Sequence, residues 1–304
     1  MTCLTGAEQD IMILSSLRND YLQETCEMTL KWFHIVGIVL AGGIIFFICY
    51  PRMENFLVFF PQKELDLQPG DLGLRADDVF VNAGDDALIH GWFFPPPDDG
   101  APVLLFCHGN AGNISHRLDN VRHLIRHGLG VLLFDYRGYG RSTGRPSEKG
   151  VYRDGRAVYE HLVNERKIPP ERIVPFGRSL GAAVALETAL HHPVRCVILE
   201  SAFTSTRGMA RRMGPFALLS PVLPANYNNL DKIPRLEVPK LIIHGRDDEI
   251  VPFKMGETLF RAASGVKAFL PLDGAGHNDT YVAGGEPYFK ALAEFAGDPV
   301  SAME

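Results

Sequence analysis

The sequence predicts an α/β fold, a mostly parallel twisted sheet with helices on both faces, preceded by one membrane-spanning helix. Three observations lead there. From residue 103 onward, short apolar runs alternate with helical segments, the pattern of parallel strands buried on both faces. Near the N-terminus, residues 33–50 form an apolar run long enough to cross a bilayer. A Gly-x-Ser-x-Gly string falls where one strand gives way to a helix.

Composition narrows the function classes. The chain has 304 residues, 46% of them hydrophobic, with a formal net charge of -6. It therefore has no basic footprint for nucleic acid, and it is too apolar to be disordered. Five cysteines in this length do not make a disulfide-stapled mini-domain. The 30 glycines and 21 prolines imply many turns rather than a coiled coil.

Residues 1–31 form an N-terminal segment, with Met28 as an alternative start that would make residues 1–27 a mis-assigned extension. The anchor follows at 32–50. Its apolar run contains one strongly polar residue, His34, and as a helix spans about 27 Å. Trp32 and Tyr50 bracket it as interfacial aromatics do, Lys31 and Arg52 close it, and Pro51 is expected to end it. A buried core helix of this length would carry a polar face. The exit Phe47-Ile48-Cys49-Tyr50-Pro51 offers no small-x-small cleavage site, so an uncleaved single-pass anchor fits better than a signal peptide. Flanking charges are nearly balanced and set no orientation, so the side of the membrane on which the main domain lies is left open.

Residues 51–74 read as a linker in which Phe56, Phe59 and Phe60 pack on the following domain rather than on the membrane surface. The domain proper is expected over 75–304. Runs at 79–81 and 88–94 flank Asn82-Ala83-Gly84-Asp85-Asp86 as an antiparallel hairpin. Further strands are expected at 103–107, 131–134, 172–176, 196–199, 240–244 and 266–270, which makes eight in all. Helices are expected at about 115–126, 148–163 and 182–190. The proline-punctuated stretch at about 202–238 breaks this rhythm and reads as a small lid with apolar walls.

Chemistry enters with Phe176-Gly177-Arg178-Ser179-Leu180-Gly181. A strand-to-helix turn this tight needs residues without side chains beside the serine, and it lifts the Ser179 hydroxyl above the strand ends. A serine nucleophile needs a base, and the base needs an orienting acid. His277, in the glycine-rich and flexible loop Asp273-Gly274-Ala275-Gly276-His277, is the best base. Asp247, Asp248 and Glu249 all follow one strand, Glu200 ends another, and spacing does not choose among them. Backbone amides for an oxyanion come from Leu180 and from the loop His108-Gly109-Asn110-Ala111-Gly112-Asn113, with Asn110 preferred and Ala111 as the alternative. His123 and His127 lack a third metal ligand and read as a solvated helix face, and His244 reads as structural. No phosphate-binding glycine motif occurs, and no cofactor or metal is implied.

These pieces resemble the α/β-hydrolase superfamily, in which the triad runs Ser, acid, His along the chain. The resemblance covers roughly residues 75–297. It is carried by the His108 loop, by Asp135-Tyr136-Arg137-Gly138-Tyr139-Gly140-Arg141-Ser142, and by the stretch from Ile243-His244-Gly245 to Pro252. Together these are similar to a membrane-anchored abhydrolase-domain branch that includes lysophospholipid lipases and protein depalmitoylases and borders serine aminopeptidase-like hydrolases. In its pattern His-Gly-x-x-Asp, the resemblance makes Asp248 the triad acid. The depalmitoylases carry an N-terminal cysteine cluster where this chain has an apolar helix, a departure from that role. The family's sheet order places Cys107 and Cys196 two strand steps apart, about 9.6 Å and too far to bridge.

The resemblance thus implies an α/β-hydrolase acting through Ser179, His277 and Asp248 on a lipophilic acyl ester or thioester, beside the bilayer and with no obligate protein partner. An aminopeptidase using Glu200 to hold an ammonium group is the rival enzyme. A catalytically silent tethered scaffold is the rival from another class.

Overall fold

A computed structural model describes residues 6–214 and 216–303. The chain divides into an N-terminal unit ending at Leu57 and a body from Val58 onward.

The first unit is one long helix, α1 (Gly6–Val58), with Pro51 inside it. Proline removes one donor and crowds the preceding turn but leaves helix open on both sides, so Pro51 does not end the helix as expected. Residues 6–31 belong to this same helix. From Trp32 to Ile48 its apolar side chains are nearly all exposed, Phe33 and Ile38 being 71% and 72% exposed. A core helix would bury them. Within it lies one segment, Tyr21–Val58, long and apolar enough to cross a membrane, a test that an N-terminal signal sequence also passes.

The body is built on eight strands: β1 (Asp77–Asn82), β2 (Leu88–Phe94), β3 (Val103–Cys107), β4 (Gly130–Phe134), β5 (Ile173–Arg178), β6 (Val197–Glu200), β7 (Lys240–Gly245) and β8 (Lys267–Leu272). Their order is β8-β7-β6-β5-β3-β4-β2-β1. The expected hairpin β1–β2 is antiparallel, β2 also runs antiparallel to β4, and all other neighbours are parallel. Alternating residues of each central strand serve opposite faces. Val103, Leu105 and Cys107 join the core under helices α3 (Glu148–Asn164) and α4 (Leu180–His191). Leu104 and Phe106 join the other, under α2 (Leu118–Arg126) and the C-terminal helix. The rings of Phe106 and Phe176 meet at 4.6 Å in this second core. Cys107 and Cys196 are separate free thiols, with β5 between their strands.

Two helices escaped the sequence reading, α5 (Phe253–Ala262) and α6 (Thr280–Gly297). The first opens directly after Pro252. The second contains Pro287 and a kink at Gly285, where φ is 53°. Among the described residues, 201–239 hold short helices, Thr206–Ala210, Phe216–Leu219, Asn229–Lys232 and the 3-10 turn Ile233–Arg235. Leu223, Tyr227 and Leu236 seat this lid on the body, while Met213, Leu218, Leu219 and Val222 stay exposed.

The expected linker at 51–74 is a second correction. Helix continues to Val58, and residues 58–74 belong to the body. Phe60–Pro61 pairs in parallel with Ala111–Gly112, and Phe59 is buried against Tyr139 and Tyr227. Phe60 remains exposed, so of the two phenylalanines that lie in the body only Phe59 packs as expected.

Candidate active site

Ser179, Asp248, His277 and the His108 loop each follow the carboxyl end of a parallel strand. Ser179 follows β5 and opens α4 with φ 54° and ψ -114°, a conformation an L-residue adopts at a cost of about 1–3 kcal/mol. The surroundings enforce it. A Cβ on Gly177 would collide with the carbonyl of Gly181, and one on Gly181 with the carbonyl of Cys107. Both glycines let helix α4 approach β3 and β5 closely enough to force the turn. The Ser179 amide is itself held by the Glu200 carbonyl at 2.8 Å.

His277 lies after β8, with Nε2 3.1 Å from Ser179 Oγ and Nδ1 2.8 Å from Asp248 Oδ2. Its loop is tied rather than flexible. The His277 amide donates to Glu249 Oε2 at 3.1 Å, its carbonyl accepts from Arg178 Nη2 at 2.7 Å, and Gly276 N–H donates to Asp279 at 2.7 Å.

Of the three neighbouring carboxylates, Asp248 meets the imidazole. Its Oδ1 accepts from the amides of Ile250 and Val251 at 3.0 and 2.6 Å, and its Oδ2 also lies 3.3 Å from His244 Nε2. Burial pushes its pKa up, but the hydrogen bonds from His244 and His277 outweigh burial and hold the carboxyl well below the usual range. Asp247 and Glu249 are exposed. Glu200, the rival acid, is fully buried elsewhere: it pairs with Arg178 Nε at 3.1 Å and accepts from the Thr280 and Tyr288 hydroxyls. With those partners it braces β5 against α6, and its charge is already matched by Arg178.

The oxyanion side is equally ordered. Leu180 is the first residue of α4, so its amide has no acceptor within the helix and lies at the positive end of the helix dipole. The His108 loop runs beside Ser179: a Cβ on Gly109 would stand 3.8 Å from Ser179 Cβ. Asn110 accepts on its carbonyl from Phe60 N–H at 3.0 Å and from Tyr139 OH at 2.6 Å, and its Nδ2 donates to the Val58 carbonyl at 2.9 Å. None of these bonds uses its own N–H. Ala111, the alternative, lies in the short pair with Phe60.

Beneath this loop His108 and Asp135 are both fully buried, 3.6 Å apart. Burial pushes His108 down to about 3, with Arg117 acting in the same direction. Burial raises Asp135 to about 7, against the opposing pull of the Ile114 amide, Arg117 and Lys63. His123 and His127 are not a solvated face, since both stack on Phe289 of α6. Among the described residues no group of three His, Cys, Asp or Glu side chains is arranged for a metal. The supporting roles of His244, Glu249, Arg178 and Tyr139 had no sequence signal beyond their presence inside motifs read for other residues.

Comparison with known proteins agrees with this architecture. A family model described as the alpha/beta hydrolase fold matches residues 102–222. An uncharacterized protein of Mycobacterium tuberculosis is 37% identical over 86% of this chain and 93% of its own length. The alpha/beta hydrolase domain-containing protein WAV2 of Arabidopsis thaliana is 33% identical over 86% and 92%, and protein bem46 of Schizosaccharomyces pombe 34% over 81% and 87%. Among solved structures, a Pyrococcus furiosus esterase superposes with a TM-score of 0.65 at 22% identity, over 78% of this chain and 97% of that one, a likeness of fold. With a sheet of this order, a serine elbow at the end of β5 and relatives matched over nearly their whole length, the chain belongs to the α/β-hydrolase family.

Proposed function

We propose that this protein is a membrane-anchored serine hydrolase that cleaves a carboxylic ester or thioester of a lipophilic acyl substrate. One observation carries the reading. A serine held in a strained turn has its Oγ 3.1 Å from an imidazole whose other nitrogen is 2.8 Å from a buried carboxylate. In that geometry His277 takes the Ser179 proton as Oγ attacks the acyl carbonyl carbon. Asp248 holds the imidazole tautomer and stabilises its cation. The Leu180 and Asn110 amides receive the oxyanion, each worth about 3–4 kcal/mol by analogy with known donors. The tetrahedral intermediate collapses with the His277 proton passing to the departing alcohol or thiol. Water, deprotonated by His277, then attacks the acyl-enzyme carbonyl, and the Oγ–acyl bond breaks as His277 returns the proton to Ser179 Oγ and the acid leaves.

A lipophilic substrate is supported by the lid and the helix. Leu218 is 87% exposed, and Met213, Leu219 and Val222 are exposed beside it. Residues 201–230 hold three arginines and no Asp or Glu in a chain of net charge -6. Such a surface suits an acyl chain or its anionic lipid setting better than a charged peptide. The aminopeptidase alternative loses its main support, since Glu200 is already paired with Arg178.

Fluorophosphonate labelling of the membrane fraction tests the reading. Wild type should label and Ser179→Ala should not. A folded wild type that resists labelling and turns over neither p-nitrophenyl acyl esters nor lysophospholipids would overturn it in favour of a silent scaffold.

A further inference from the structure

The loop expected to supply an oxyanion amide is held largely by a segment outside the sheet. Residues 58–62, the first stretch of the body after α1, lie along residues 110–112. Phe60 N–H donates to the Asn110 carbonyl at 3.0 Å and Gln62 N–H to the Gly112 carbonyl at 3.1 Å. The Val58 carbonyl accepts from Asn110 Nδ2 at 2.9 Å, and the Gln62 carbonyl from Asn113 Nδ2 at 3.3 Å. Phe59 fills the space between the Tyr139 and Tyr227 rings at 6.5 and 6.4 Å, and Tyr139 OH is the second donor on the Asn110 carbonyl.

These contacts bear on one peptide plane. His108 Nδ1 lies 2.7 Å from the Gly109 carbonyl, and because a carbonyl only accepts, Nδ1 carries the proton there. In a trans peptide the C=O and N–H point in opposite directions. With the Gly109 carbonyl turned to the His108 ring, the Asn110 N–H of the same plane is turned away from it. One end of that plane is thus fixed by His108. The other end, the Asn110 Cα, is fixed by the strap through both the side chain and the carbonyl of Asn110.

We propose that residues 58–62 are a positioning element of the active site, which aligns the Asn110 amide for the oxyanion formed at Ser179. The proposal rests on the serine-hydrolase reading above. It gives the sequence immediately after the apolar helix a role in turnover and not only in attachment. A donor displaced by about 1 Å loses much of its value in the transition state while substrate still binds. The signature is therefore a fall in kcat at constant KM.

The test uses the full chain in detergent micelles with a p-nitrophenyl ester. Phe60→Pro deletes the N–H given to Asn110, and Asn110→Ala releases the Val58 carbonyl while keeping the residue 110 amide. Each should lower kcat about 10-fold or more, with KM within about two-fold of wild type and the acid limb of the pH profile unmoved. Phe60→Ala restores the N–H and should recover at least about half of the kcat lost in Phe60→Pro, a rescue that a purely steric role for the ring would not give. The proposal is overturned if folded Phe60→Pro and Asn110→Ala both keep kcat within about two-fold of wild type, or if neither folds, which would make the strap a stability element. Undiminished activity in Ser179→Ala would instead sink the underlying serine reading, whatever the strap variants do.

Discussion

Asp135 carries a carboxyl with no exposed surface, and burial raises its pKa to about 7. Its Oδ1 accepts from the Ile114 amide at 3.0 Å. A folded-state pKa above the unfolded value means that the unfolded chain gives up this proton first. Stability from this site is therefore complete below about pH 4 and is lost as pH rises toward 7. Asp135→Asn keeps the Ile114 acceptor and removes the titration. Its Tm relative to wild type should be higher at pH 8 than at pH 4, and a difference that does not change with pH would refute the assignment. Site residues differ in how legibly the sequence announces them. Ser179 and His277 lie in motifs whose residue types have few other uses. Asp248 stood among three equal neighbours until its resemblance to a family pattern singled it out, and only its two backbone donors and two imidazole neighbours give it a physical distinction. Glu200 looked as competent as Asp248 because sequence does not reveal that Arg178, Thr280 and Tyr288 already occupy it.

Between elements, the contact of α3 with α4 depends on Gly155. A Cβ there would stand 2.6 Å from Val184 Cγ1 and 3.1 Å from Thr188 Oγ1. Alanine in place of a helical glycine gains about 1 kcal/mol, and overpacking costs about 1–3 kcal/mol, so Gly155→Ala should fall between neutral and about 2 kcal/mol destabilising. Gly155→Leu should destabilise, with a urea midpoint below wild type. Adding Val184→Ala should recover part of that loss; no recovery would place the strain elsewhere. At this scale all eight strands of the main sheet were legible, six as continuous apolar runs and β1 and β2 as a hairpin around Asn82-Ala83-Gly84-Asp85-Asp86. Helices α5 and α6 were not, because Pro252, Gly284-Gly285 and Pro287 are the residues that ordinarily mark helix breaks. The pair Phe60–Pro61 with Ala111–Gly112 is too short for any periodicity to register, so residues 58–74 read as linker.

For the whole molecule, the decisive asymmetry is between a body whose apolar side chains form two packed cores and a helix whose apolar side chains between residues 32 and 48 are nearly all bare. Burial of that bare surface in hydrocarbon would hold the chain far more firmly than ionic contact with lipid heads. The full-length protein should remain in the membrane pellet through high salt and alkaline carbonate and come free only with detergent. Release by carbonate would exclude a spanning helix.

The distribution of thiols has a practical consequence. Cys107 and Cys196 are sealed in the body, and burial drives both thiols up, Cys196 to about 12, so neither is a ready nucleophile toward an alkylating reagent. Cys26 and Cys49 are exposed and stand on opposite sides of the middle of the apolar run. Cys3, outside the described residues, precedes the run together with Cys26. The unmodified protein therefore contains its own sidedness reporter. An impermeant maleimide that labels the protein on intact cells has reached Cys3 or Cys26 and finds the amino end outside, whereas labelling that appears only after permeabilisation puts the amino end inside and the hydrolase body outside.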